Sequence, residues 1–139
     1  MLRIGGYINI IISVGHIVGL LWADKMFEVT GIGKEMAELG QVHLSLPYLL
    51  TIFVAVVFFI FGLYGLSADN KFIKLPFLKT AIFLIAGIYL LRGVGELVLD
   101  NIEGTNSISE TIYSFLALVI GILFLIGGLK KWPLTIKKL

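Results

Sequence analysis

Residues 48–67 read YLLTIFVAVVFFIFGLYGLS and carry no charged side chain. At about 1.5 Å of helical rise per residue, such a stretch reaches across the roughly 30 Å hydrocarbon core of a bilayer. Ser45 and Pro47 just ahead of it suit a helix start, because proline has no N–H to lose from the first turn. Three further runs have the same character: GGYINIIISVGHIVGLLW at 5–22, a run from Phe77 to about Leu99 that follows Pro76, and IYSFLALVIGILFLIGGL at 112–129. With 58% hydrophobic and 14% charged residues and a mean hydropathy of +1.02, the chain departs far from the balance of a soluble domain. The expectation is an all-α integral membrane four-helix bundle, one domain over residues 1–139, with helices at about 5–22, 48–67, 77–99 and 112–129.

The connections differ in kind. The first, 23–47, is long; 68–76 is short; 100–111 is polar. In the long one, KEMAELG (34–40) holds good helix formers and a closing glycine, which predicts a short helix ending at Gly40, with Met26, Phe27 and Val29 available to lie on the bundle. Gly31 and Gly33 are no nucleotide fingerprint, lacking a strand-turn-helix context. The first apolar run follows Arg3, as the apolar part of a secretory signal follows its basic residues, but it is long and lacks an A-x-A-like site before Ala23, so it reads as a retained helix.

Orientation follows from the basic residues. Of eleven Lys and Arg, eight fall to one side of the spans: Arg3, Lys71, Lys74, Lys79, Lys130, Lys131, Lys137 and Lys138. Lys25, Lys34 and Arg92 fall toward the other. The prediction is a multi-pass protein of the cell inner membrane with both N- and C-termini cytoplasmic and the long 23–47 loop outside. The net charge of +2 reflects that asymmetry and implies no nucleic-acid partner. The partner it does imply is the lipid bilayer, with the Lys-rich end at headgroup phosphates.

Chemistry is sparse. With no cysteine there is no disulfide, thiolate metal site or thiol relay. No H-E-x-x-H, P-loop or nucleophile elbow occurs, so no catalytic or metal-ligating residues are assigned and the cofactor is unknown. What draws attention is YLLRGVGELVL (89–99), where Arg92 and Glu96 stand four residues apart inside an apolar run. A charge at mid-membrane costs about 2.5–3.5 kcal/mol on insertion scales, less toward the interface, so Arg92 needs a partner and Glu96 is one turn above it. Tyr89 extends that face inward. In the first run Asn9, Ser13 and His16 fall at i, i+4 and i+7, on one stripe, with His16 level with Arg92. Tyr48, Thr51, Glu110, Tyr113 and Ser114 add polar groups at the outer ends, and His43 stands just ahead of the second run. If the stripes face one another, they line an outward-opening polar pocket of His16, Arg92, Glu96, Tyr89 and Ser13, with His43 and Glu110 at its mouth.

GHIVGL in the first run, FGLYGLSA closing the second, LP then LK opening the third and YLLRGV near its end resemble an uncharacterised group of small bacterial four-helix inner-membrane proteins. The resemblance implies the four-span topology and draws attention to His16 and Arg92; it implies no activity, and the long first connection departs from the short-loop members. Three functional readings stand. The first is a protein that binds or helps move a small anionic or amphipathic ligand, with Arg92 as charge partner. The second is a non-catalytic interaction subunit or homo-oligomer packing through glycine faces (Gly15 with Gly19, Gly62 with Gly65, Gly121 with Gly127) against copies of itself or a larger membrane complex. The third is a membrane enzyme or a haem or quinone protein, with His16 and Glu96 as acid-base groups or His16 and His43 as iron ligands.

Overall fold

The computed structural model of the protein describes residues 1–69, 73–103 and 108–133. Among them there is no strand, and four helices are long and apolar enough to span a membrane. Helix α1 covers Leu2–Gly19 and tightens into a single 3-10 turn over Leu20–Trp22. Two short helices follow, α2 (Ala23–Val29) and α3 (Gly33–Val42). The remaining spans are α4 (Leu46–Ala68), α5 (Leu78–Glu103) and α6 (Ile108–Lys131).

Helices α4 and α6 run further at both ends than hydropathy alone marks them and α5 at its far end, because a helix continues into the interface until something stops it; α1 starts three residues early and gives way to the 3-10 turn at Leu20. Pro47 lies in the first turn of α4, as its missing N–H requires. Phe77, with φ of +52°, turns the chain into α5 through the left-handed region, and Ala81 then donates to its carbonyl. Ser67 ties down the short connection by donating to the Ile73 carbonyl at 2.6 Å and accepting the Leu75 N–H at 3.1 Å.

The connection expected as a long loop is largely helical. At Trp22 the backbone leaves the helical region (φ −132°, ψ 51°), so α2 sets off in a new direction and Met26 folds onto Gly19. A β-carbon at Gly19 would collide with the Met26 sulfur. Of the three residues expected to lie on the bundle, Phe27 is buried, Met26 is partly buried and Val29 remains exposed. Gly31, with φ of +81°, separates α2 from α3, a conformation that glycine adopts without steric cost. The short helix predicted to end at Gly40 starts one residue earlier and passes through Gly40 to Val42, because His43, in an extended conformation, breaks it instead.

Helix α1 packs most closely on α4, and α5 on α6; α1 with α6 and α4 with α5 close the ring. Both tight pairs are set by glycine. A β-carbon on Gly6 would stand 2.9 Å from the Gly62 carbonyl oxygen, and one on Gly65 would stand 2.8 Å from the Gly6 Cα, so α1 and α4 touch backbone to backbone. In the second pair, Gly93 approaches the Ser114 carbonyl in the same way, at 2.9 Å, and Gly121 receives the Leu90 side chain. Across the pairs, Gly127 receives Leu2 and Gly5 receives the Phe124 ring. Thus Gly62, Gly65, Gly121 and Gly127, read from sequence as faces for copies or a larger complex, are occupied within the chain. Gly15 has open space around it and Gly19 is covered by Met26. Between the pairs lies the apolar core, built on Ile82, Ile85, Ile120 and Phe124.

One end of the bundle gathers the start of α1 and the ends of α4 and α6. Leu2 meets Gly65 and Gly127 there, and Lys131 donates to the Ala68 carbonyl at the end of α4. A cation at that position also complements the negative end of the helix dipole. Arg3, Lys74, Lys79 and Lys130 are exposed at this end; Lys71, Lys137 and Lys138 lie outside the described residues.

The glycine contacts generate a paired expectation. Gly65→Val forces α1 and α4 apart and should destabilise the protein by about 1–3 kcal/mol, the usual cost of overpacking. Gly15→Val should stay within about 0.5 kcal/mol of the native protein. Unfolding in detergent micelles, followed by circular dichroism, checks both; equal effects would mean that the close approach does not set stability.

Candidate functional site

The polar residues of the spans fall into two groups. On α1, Asn9, Ser13 and His16 do share a stripe, and it turns inward. Asn9 is fully buried: its Nδ2 donates to the Gly5 carbonyl at 2.8 Å, and its Oδ1 accepts the Tyr89 hydroxyl of α5. Ser13 donates to the Ala55 carbonyl of α4 at 2.7 Å. The His16 Nδ1 lies 2.8 Å from the Ile12 carbonyl. A carbonyl only accepts, so this contact places a proton on Nδ1 and leaves the lone pair of the neutral ring on Nε2. The imidazole packs on Phe58 with centroids 5.2 Å apart; Phe58 stacks on Tyr89 at 6.4 Å, and Phe61 meets Tyr89 edge-on at 6.0 Å. These contacts join α1, α4 and α5 through one continuous aromatic and hydrogen-bonded strut.

The second group begins one turn further along α5. The Arg92 guanidinium pairs with Glu96 Oε1 at 3.1 Å, and the other carboxylate oxygen accepts the Ser114 hydroxyl of α6 at 2.9 Å. The pairing expected from the i,i+4 spacing therefore forms. Its position differs from the expected inward one: the Arg92 side chain is 55% exposed and that of Glu96 37%, so the pair lies on the flank of the bundle. Glycine explains the placement. Gly93, the residue after Arg92, occupies the inward position and lets α6 come so close that an arginine there has no room.

The other predicted site residues do not join these two groups. His43 is exposed; its Nδ1 accepts the Ser45 N–H at 3.3 Å and lies 2.7 Å from the Ser45 hydroxyl, at the head of α4. Glu110 is partly buried in the first turn of α6, where a carboxylate meets the positive end of the helix dipole. Among the described residues, no three His, Asp or Glu side chains are grouped to hold a metal ion.

Where the stripes of α1 and α5 face one another, Asn9 and Tyr89 are in direct contact, and two shallow hollows lie elsewhere. One, of about 260 Å³, is an apolar cleft between α4 and α5 that includes Phe61, Tyr64 and Leu84. The larger, of about 370 Å³, sits in the elbow between α1 and α2 and is lined by Gly19, Trp22, Lys25, Met26 and Val29. Its surface is almost wholly apolar, and Lys25 is the one charged residue in the lining. Sequence reading passed over this hollow because it exists only where the chain turns at Trp22. The residues were visible as an interfacial aromatic and a methionine two turns past a glycine, but their convergence was not.

No protein-family model, curated protein or solved structure matches the chain. The class that fold and composition define is a multi-pass helical membrane protein.

The strut can be tested by a double-mutant cycle. Tyr89→Phe leaves the Asn9 carbonyl oxygen without its partner in a dry interior and should cost about 1–3 kcal/mol. Asn9→Leu in the Tyr89→Phe background should then cost less than it does alone, with a coupling of about 0.6 kcal/mol, the average for hydrogen bonds between membrane helices, and at most about 1.7 kcal/mol. Strict additivity in detergent unfolding would show that the two groups act independently.

Proposed function

We propose that the protein is a binding protein of the cell inner membrane that holds an anionic amphiphile at its outer surface, with both termini cytoplasmic. The observation that carries this reading is the elbow hollow, an apolar depression with a lysine in its lining, at the end of a spanning helix. Its volume falls at the lower end of the roughly 300–1,000 Å³ usual for ligand sites, which suits a single alkyl chain. Trp22 is 64% exposed and Val29 66%, so the hollow is flanked by apolar surface that a hydrocarbon tail can cover. Lys25 supplies the charge for an acidic headgroup, while its aliphatic stem lies along the tail. Asp24 and Glu28 are exposed but do not line the hollow.

The polar residues first expected to line a pocket serve in this reading as its scaffold. Asn9, Ser13 and Tyr89 are occupied with one another and with backbone carbonyls, and they hold α1 at a fixed depth. Gly19 and Met26 fix the angle of the elbow.

Two experiments test the proposal. A reporter fused to the C-terminus should be active in its cytoplasmic form; an external C-terminus would put Lys25 on the inner side and remove the outer-surface assignment. In a Trp132→Phe background, Trp22 is the sole tryptophan, and its fluorescence should be quenched saturably by brominated dodecanoate. Lys25→Ala should weaken that binding about three-fold, as expected for a partly solvated ion pair. Quenching that rises linearly, equals that by brominated dodecanol and ignores Lys25→Ala would reduce the hollow to general lipid contact.

A further inference from the structure

The cleft between α4 and α5 lies at the opposite end of the bundle from the elbow hollow. Its walls include Phe61 and Tyr64 of α4 and Ala81 and Leu84 of α5, with Phe77 at the rim, and it reaches Ile85, which is 2% exposed. Phe77 and Ile85 are eight residues apart, about 12 Å along the helix axis, and Leu78 opens the span. The cleft therefore runs from the level of the headgroups through most of one leaflet, whose share of the hydrocarbon core is about 15 Å. That is the depth an acyl chain occupies.

The segment ahead of the cleft is stitched to α4. Ser67 grips the backbone on both sides of Lys74, donating to the Ile73 carbonyl and accepting the Leu75 N–H, and the Tyr64 hydroxyl donates to the Pro76 carbonyl at 3.3 Å. Tyr64 thus walls the cleft and fixes the segment above it. Ser67 lies just under one turn beyond Tyr64, so these bonds hold the Lys74 backbone close above the mouth of the cleft. Lys74 is exposed, and among the described residues no acid pairs with it. Phe77 completes the rim. It is 84% exposed and held at a φ of +52°, a region that bulky residues enter only where their surroundings fix them. The pinned 73–76 segment on one side and the Ala81 N–H on its carbonyl supply that constraint.

We propose that this cleft seats one acyl chain of an acidic phospholipid from the leaflet at the lysine-rich end, with Lys74 as the partner of its phosphate. Charge selects the occupant. Arg3, Lys74, Lys79 and Lys130 are exposed at this end, and Asp69, at the close of α4, is the one acid there among the described residues. Such an end attracts an acidic headgroup, whereas a zwitterionic one brings its own cation into the same field. A soluble anion would satisfy the lysine and leave the apolar walls uncovered; a phospholipid satisfies both. The cleft shares no residue with the elbow hollow and its occupant does not depend on which side of the membrane the termini lie, so either proposal can fail without the other.

Native mass spectrometry of the protein in a neutral detergent, titrated with phosphatidylglycerol or with phosphatidylcholine carrying the same tails, tests this. One phosphatidylglycerol should be retained about five-fold more tightly, the effect of a single lysine near an acidic surface. Lys74→Gln should abolish the preference. Lys79→Gln should keep it, because helical spacing puts Lys79 on the side of α5 turned away from the cleft. The tail is tested separately. Ala81→Leu fills the cleft and should weaken retention of both lipids about five-fold. Phe77→Gly removes the rim ring while favouring the left-handed backbone, so it should weaken retention about three-fold without lowering the unfolding temperature of the lipid-free protein. Should Ala81→Leu fail to fold, Phe77→Gly decides the tail alone. Equal retention of the two lipids, loss of the preference in Lys79→Gln as well as Lys74→Gln, displacement of the lipid by inorganic phosphate, or retention indifferent to the cleft variants would overturn the proposal.

Discussion

Between helices in a bilayer there is no hydrophobic force to speak of, since lipid tails are as apolar as leucine; association rests on close packing and on polar contacts sheltered from lipid. The backbone contact of Gly6 with Gly62 and Gly65 meets that constraint, and the other features of the bundle follow from it. Because α1 and α4 touch without side chains between them, Ser13 reaches the Ala55 carbonyl and His16 reaches Phe58. The α5–α6 pair is built by the same device at Gly93 and Gly121. Two glycine-tight pairs then meet over larger side chains, Leu2 from the α1–α4 pair and Ile82, Ile85, Tyr89 and Phe124 from the α5–α6 pair.

The same constraint governs the polar groups. A buried amide without a partner is costly in a medium that cannot hydrogen-bond, and Asn9 is satisfied on both atoms of its side chain. Satisfaction of this kind leaves little for a ligand. It moves the candidate binding surface away from the bundle axis to the elbow, where an apolar hollow and a lysine remain uncommitted. The charged pair on α5 follows a different logic: it is paired within the chain, but it is set on the flank because the glycine-tight approach of α6 fills the interior at that level.

What the sequence determined by itself is the part that depends on local composition. Four spans, their order, the helix in 34–40 and the Arg92–Glu96 pairing all follow from apolar runs, helix formers and i,i+4 spacing, which act within a few residues of each other. Boundaries drifted by a few residues because hydropathy marks the oily part of a helix and not its hydrogen-bonded end. The decisions left to tertiary structure depend on which surfaces meet. A glycine in a sequence permits close approach by any helix, so nothing local says that Gly65 packs inside, that Gly93 faces α6, or that Gly87 and Gly95 face outward. Tyr89, Asn9 and Ser13 read equally well as pocket lining or as mutual partners until α1 and α5 are placed at the same depth. The elbow hollow exists only because the backbone departs from helical geometry at one residue, Trp22, and swings Met26 onto Gly19, a rotation about two dihedral angles that the run of apolar residues around it does not encode.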